Sequence, residues 1–78
     1  MANKNAAPTA KVTYTELICW SILYQQAKRE EFVKKAENAE SYYRTDVAEW
    51  CRDKISEIDT TIATLRQMYR IENGTDYC

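Results

Sequence analysis

Apolar residues in the second half of the chain recur alternately four and three residues apart. The series consists of Cys51, Ile55, Ile58, Ile62, Leu65 and Tyr69. This spacing keeps one stripe of an α-helix turned towards a partner helix along its whole length. The pattern therefore predicts a long packed helix of coiled-coil type, with these six residues in an intramolecular seam.

The first half of the chain predicts a second long helix with a less regular stripe. Thr13 followed by Glu16 forms a capping-box sequence, which predicts a helix start at about Tyr14. The helical pattern continues to about Ser41. Its apolar stripe consists of Ile18, Ile22, Phe32, Ala36, Ala39 and Tyr43.

Two polar residues, Gln25 and Arg29, interrupt the stripe of the first helix. In one interpretation their long side chains lie at the edge of the seam, with the polar ends in water. In the other, they form a polar layer that fixes the alignment of the helices, with Arg29 paired to Asp59. The sequence leaves both interpretations open.

A break is predicted between the two helices at residues 41–45, although no Gly or Pro occurs there. Thr45 or Asp46 is the expected N-cap of the second helix, because Glu49 stands three residues after Asp46. Asn73 and Gly74 predict its C-cap. The fold expected is an all-α antiparallel two-helix hairpin, with long helices at about 14–41 and 46–72.

Helices of nearly equal length joined by a short loop place each residue opposite a defined partner. The residue numbers of opposing positions are expected to add up to about 88, which puts Arg29 opposite Asp59. The domain organisation predicted is a flexible N-terminal tail at 1–12, the hairpin at 13–73 and a C-terminal tail at 74–78. A hairpin this small is expected to assemble into an oligomeric helical bundle.

The predicted seam leaves part of the apolar surface uncovered. Between Leu17 and Tyr24 the first helix is apolar almost all the way round, and the second helix has apolar residues off its seam near its end. The residues expected at a protein interface are Leu17, Trp20, Leu23, Tyr24, Met68 and Ile71. Self-association with a dimer favoured, docking of a different protein, and burial under the N-terminal tail are the three explanations.

Composition and charge exclude several classes of function. The chain has 11 basic and 12 acidic residues, a net charge of −1 and no histidine. Mixed charge makes nucleic acid an unlikely partner, and the lack of histidine removes the commonest general base and many metal sites. We expect no enzyme activity, no catalytic residues, no cofactor and no metal.

Cysteine usage and hydropathy bear on the environment of the chain. Cys19, Cys51 and Cys78 are odd in number and far apart, unlike the cysteines of a secreted disulfide scaffold. No apolar run approaches the roughly 20 residues of a membrane span, and residues 1–11 lack the apolar core of a signal peptide. We expect a cytoplasmic location, without membrane contact.

The function class expected is a non-enzymatic, oligomeric interaction module that binds another macromolecule. A small regulator or inhibitor fits this description, and fold-level analogy points to accessory proteins of phages or mobile elements. One alternative is a structural subunit that self-assembles into a larger particle. A further alternative is capture of a small ligand such as a nucleotide between subunits.

Overall fold

The computed structural model describes residues 12–74 and contains two packed α-helices. Helix α1 spans Tyr14–Ser41 and helix α2 spans Thr45–Asn73. Both helices begin and end within about one residue of the predicted bounds, and they lie side by side as a hairpin. Most of both predicted tails, 1–11 and 75–78, lies outside the described residues.

The start of α1 is the predicted capping box. The Thr13 hydroxyl accepts a hydrogen bond from the backbone N–H of Glu16 at 3.1 Å. The Glu16 carboxylate in turn accepts from the backbone N–H of Thr13 at 3.0 Å. Two backbone N–H groups that a helix end leaves unpaired are thereby satisfied.

The turn between the helices closes α1 with a Schellman motif. The backbone N–H of Arg44 donates to the carbonyl of Ala39 at 2.8 Å, and that of Tyr43 donates to Glu40 at 3.0 Å. This motif needs a left-handed residue at its fifth position, which is usually glycine. Here it is Tyr43, with φ 60°. The predicted apolar stripe is wrong at this residue: Tyr43 stands beyond the helix end and its side chain is 90% exposed.

Tyr43→Gly is expected to stabilise the protein. The left-handed conformation costs a residue with a Cβ about 1–2 kcal/mol, whereas glycine loses roughly 0.5–1 kcal/mol of additional chain entropy on folding. The free energy of unfolding should therefore rise by up to about 1 kcal/mol, measured by urea denaturation. Tyr43→Ala is the control, because it removes the ring but keeps the strained Cβ. An equal gain in the alanine variant would contradict a backbone origin.

The start of α2 differs from the prediction. The N-cap residue is Arg44, which makes no side-chain capping hydrogen bond, so neither Thr45 nor Asp46 is the cap. Asp46 instead accepts two hydrogen bonds from the Arg44 guanidinium, from Nε at 3.3 Å and from Nη2 at 3.2 Å. Its negative charge still lies in the first helical turn, where it complements the helix dipole.

The end of α2 is the one predicted. Gly74 follows Asn73 in the left-handed conformation, with φ 73°, and its N–H donates to the carbonyl of Arg70 at 2.6 Å. Nothing lies within 4 Å of a Cβ built on Gly74. The glycine is therefore required here by its backbone conformation alone and not by close packing.

Two polar contacts between the helices follow the predicted antiparallel alignment, whereas the ion pair of Arg52 with Glu40 departs from it by four positions. Arg29 Nε donates to Asp59 Oδ1 at 2.7 Å, and Asn73 Nδ2 donates to Thr15 Oγ1 at 3.4 Å. Both pairs obey the predicted numbering rule. The Arg29–Asp59 pair supports the polar-layer interpretation, although both side chains remain partly in water. The carboxylate of Asp59 raises the pKa of Arg29, mainly through this hydrogen bond.

The core runs along the line where the two helices meet. Of the residues predicted for the seam, seven are buried and three, Phe32, Ile55 and Leu65, are half-buried. The buried ones are Ile18, Ile22, Ala36, Cys51, Ile58, Ile62 and Tyr69. Ala39 and Ala48 are buried as well, and Ala48, which the seam prediction omits, is 0% exposed.

The small residues Ala36, Ala39, Ala48 and Cys51 all lie in the half of the hairpin next to the turn. The isoleucines Ile18, Ile22, Ile58 and Ile62 form the core cluster in the other half, together with Tyr69. The two halves of the hairpin therefore use side chains of different size between the same two helices. Within residues 12–74, neither helix combines the length and apolar character needed to cross a membrane.

Candidate interaction surfaces

The first candidate surface is an apolar patch on the part of α1 that lies far from the turn. It consists of Leu17, Trp20, Leu23 and Tyr24, and we call it the open-end patch. Their exposed fractions are 51%, 53%, 59% and 60%. All four side chains predicted for α1 at an interface are thus more than half accessible in the single chain.

Helix geometry explains why α2 does not cover the open-end patch. At about 100° per residue, Trp20 lies about 180° from the direction shared by the buried Ile18 and Ile22. Leu17 and Leu23 flank it, about 60° to either side. Helix α1 is therefore apolar on two opposite sides over this stretch, and a hairpin partner can bury only one of them.

Of the two interface residues predicted on α2, Ile71 lies apart from this patch. Ile71 is 75% exposed, but it stands nine residues after the buried Ile62 and so points away from α1. It lies at the opposite edge of the hairpin from Trp20. Met68 is half-buried and packs against the core cluster. Trp20 and Ile71 therefore do not belong to one continuous surface within a single chain.

A row of lysine–aromatic pairs connects the open-end patch with the turn. The ammonium of Lys28 lies 5.6 Å from the ring centre of Tyr24, and that of Lys35 lies 5.3 Å from Phe32. On α2, the ammonium of Lys54 lies 5.6 Å from the Trp50 ring centre.

The aromatic row crosses from one helix to the other. The rings of Phe32 and Trp50 meet edge to face, with centres 5.7 Å apart and an interplanar angle of 70°. This is a favoured geometry for an aromatic pair. It fixes Trp50 against α1, beside the turn, while leaving 53% of its surface accessible.

The second candidate surface is a pocket beside the turn, of about 540 Å³, which we call the tip pocket. Its apolar side consists of Ala39, Val47, Trp50 and Cys51. Its polar side consists of Lys35, Asn38, Tyr42 and Arg44. Ala39 and Cys51 are buried and form the floor, whereas Tyr42 is 71% exposed and stands at the rim.

The lining of the tip pocket carries positive charge, part of which is paired with the carboxylate of Asp46. Two of the lining residues are cationic and none is acidic. The pKa of Arg44 is raised, chiefly by its hydrogen bond to Asp46, and the same bond lowers the pKa of that carboxyl. Both groups therefore remain charged across the physiological range. The pocket is suited to hold an apolar group next to an anion.

The tip pocket was not predicted from the sequence, although one signal for it exists. Small residues at Ala36 and Ala39 stand across from Cys51 and its neighbour Trp50, so the sequence already indicates space beside the indole. The pocket itself depends on the direction in which Trp50 turns, and this direction is set by its contact with Phe32.

No three Cys, Asp or Glu side chains within 12–74 come together in a way that could hold a metal ion. No protein-family model matches the chain, and neither a curated protein nor a solved structure matches it. The two surfaces are therefore interpreted from their own geometry.

Proposed function

We propose that this chain is a non-enzymatic interaction module that self-associates through the open-end patch. In this proposal it acts by binding another macromolecule, as a small regulator or inhibitor does. The observation that carries it is the exposure of Leu17, Trp20, Leu23 and Tyr24, all on the side of α1 that α2 does not cover.

The size of the patch supports a protein partner. Two leucines and two aromatic residues, each more than half accessible, expose on the order of 400–500 Å² of apolar surface. Monomers rarely leave a contiguous apolar area above a few hundred Å² in water. A standard interface takes ~800 Å² from each partner, so residues on the neighbouring turns of α1 would have to complete the contact.

The architecture supports a second copy as that partner. Two helices side by side form a single layer, whereas stable domains bury their apolar faces between two layers. Pairing two hairpins supplies the second layer and yields a four-helix arrangement. A two-fold axis would bring the same patch of both copies together.

The charge pattern of α1 is compatible with this contact. No charged residue occurs between Leu17 and Ala27. A two-fold contact centred on Trp20 therefore brings no like charges together across its centre. A partner with a strongly charged surface would find no complementary group in this stretch.

The proposal predicts concentration-dependent association and stability. Sedimentation equilibrium of the full chain should give the mass of a dimer at micromolar concentration, with dissociation on dilution. The melting temperature should rise with protein concentration, because association stabilises the folded chain by mass action. A folded monomer with a concentration-independent melting temperature would rule the proposal out.

A further inference from the structure

We propose that the tip pocket is a docking site for a short acidic segment of a partner protein, in which a bulky apolar side chain is flanked by carboxylates. This goes beyond self-association, because the pocket lies about 30 Å along the hairpin from Trp20. The apolar side chain would lie on the buried floor of Ala39 and Cys51, against the indole of Trp50.

Charge complementarity selects an acidic segment. Lys35 and Arg44 line the pocket and no carboxylate does. The Arg44 guanidinium gives two of its hydrogen bonds to Asp46. Since a guanidinium carries five N–H donors in a planar fork, Arg44 can serve a second carboxylate as well. Asn38 adds an amide at the same rim.

The ring geometry favours a peptide over a single-stranded nucleic acid. Binding of bases requires open ring faces along a basic groove. Here the indole of Trp50 meets Phe32 through an edge-to-face contact, and the ammonium of Lys54 stands over its ring. The chain as a whole carries a net charge of −1, which disfavours a phosphate backbone.

The turn next to the pocket also supports a protein docking site. Tyr43 adopts a left-handed conformation that glycine would adopt without strain, and the residue is 90% exposed. Its neighbour Tyr42 lines the pocket. The Schellman motif explains the left-handed backbone but not the choice of an exposed tyrosine in place of glycine. Tyr42 is 71% exposed and gives the docking site an aromatic rim, as interface hot spots often have.

The pocket carries its own spectroscopic reporter. In a Trp20→Phe background, Trp50 is the only tryptophan of the full chain, so its emission reports on pocket occupancy. The probe is a capped peptide with one leucine between glutamates. Two matched peptides carry glutamine or lysine in place of glutamate, and a single-stranded oligonucleotide serves as a further competitor.

The glutamate peptide is expected to change the Trp50 emission saturably, and added salt should weaken its binding. The glutamine peptide should bind at least about tenfold more weakly, and the lysine peptide should not bind. Lys35→Glu should weaken binding of the glutamate peptide by at least about tenfold. Lys34→Glu is the matched control: this residue is also exposed and is adjacent but does not line the pocket, so its variant should bind as the parent does.

Several outcomes would overturn the inference. They are equal binding of the glutamate and glutamine peptides, equal effects of Lys35→Glu and Lys34→Glu, and binding of the oligonucleotide in place of the peptide. Circular dichroism verifies that both lysine variants remain helical. The Trp20→Glu variant, which should not self-associate, is expected to bind the glutamate peptide with the same affinity as the Trp20→Phe variant. Peptide binding at the tip pocket is thereby tested separately from self-association.

Discussion

A chain carrying Trp20→Glu is expected to be a folded monomer at concentrations where the parent protein is a dimer. The substitution places a carboxylate at the centre of the open-end patch, which in the single chain is accessible to water. Folding of the monomer is therefore unaffected, whereas dimerisation would have to bury an unpaired charge. That burial costs several kcal/mol, and each 1.4 kcal/mol raises the dissociation constant tenfold. We expect an increase of at least about a hundredfold, measured by sedimentation equilibrium.

Trp50→Glu is the matched control for this experiment. Both tryptophans are 53% exposed, but Trp50 lies next to the turn and outside the open-end patch. This variant should remain dimeric, even though it loses the contact with Phe32. Dissociation of both variants to the same extent, or of neither, would place the self-interface elsewhere.

Ala48→Leu is expected to destabilise the hairpin by about 1–3 kcal/mol, the usual cost of forcing extra methylenes into a packed core. Ala48 is 0% exposed, so a larger side chain has to push the helices apart or turn towards solvent. The loss is large for a domain of this size, since stability scales at roughly 0.05–0.15 kcal/mol per residue. Urea denaturation provides the measurement.

The control for Ala48→Leu is Ala63→Leu in the same helix. Ala63 is exposed, so the same enlargement meets solvent and should change the free energy of unfolding by no more than about 0.5 kcal/mol. Equal losses in the two variants would indicate an effect on helix propensity instead of packing. No loss in Ala48→Leu would mean that the helices near the turn separate easily.

The sequence by itself determined the two helices, their bounds to within about one residue and their alignment. The Thr13–Glu16 capping box and the Gly74 C-cap were predicted because a cap depends on residues within one helical turn. The antiparallel alignment followed from two helices of equal length, and Arg29 meets Asp59 as that alignment requires. Each of these features depends on local chemistry or on chain length.

Only the tertiary structure decided how the two helix surfaces meet. The burial of Ala48, the packing of Met68 against the core cluster and the position of Ile71 at the far edge depend on the exact rotation of each helix. A periodic pattern defines that rotation only to within about one residue, or 100° of helix. The tip pocket beside Trp50 depends on the contact of Trp50 with Phe32 on the other helix. These two residues are distant in sequence, and a one-dimensional pattern does not contain their contact.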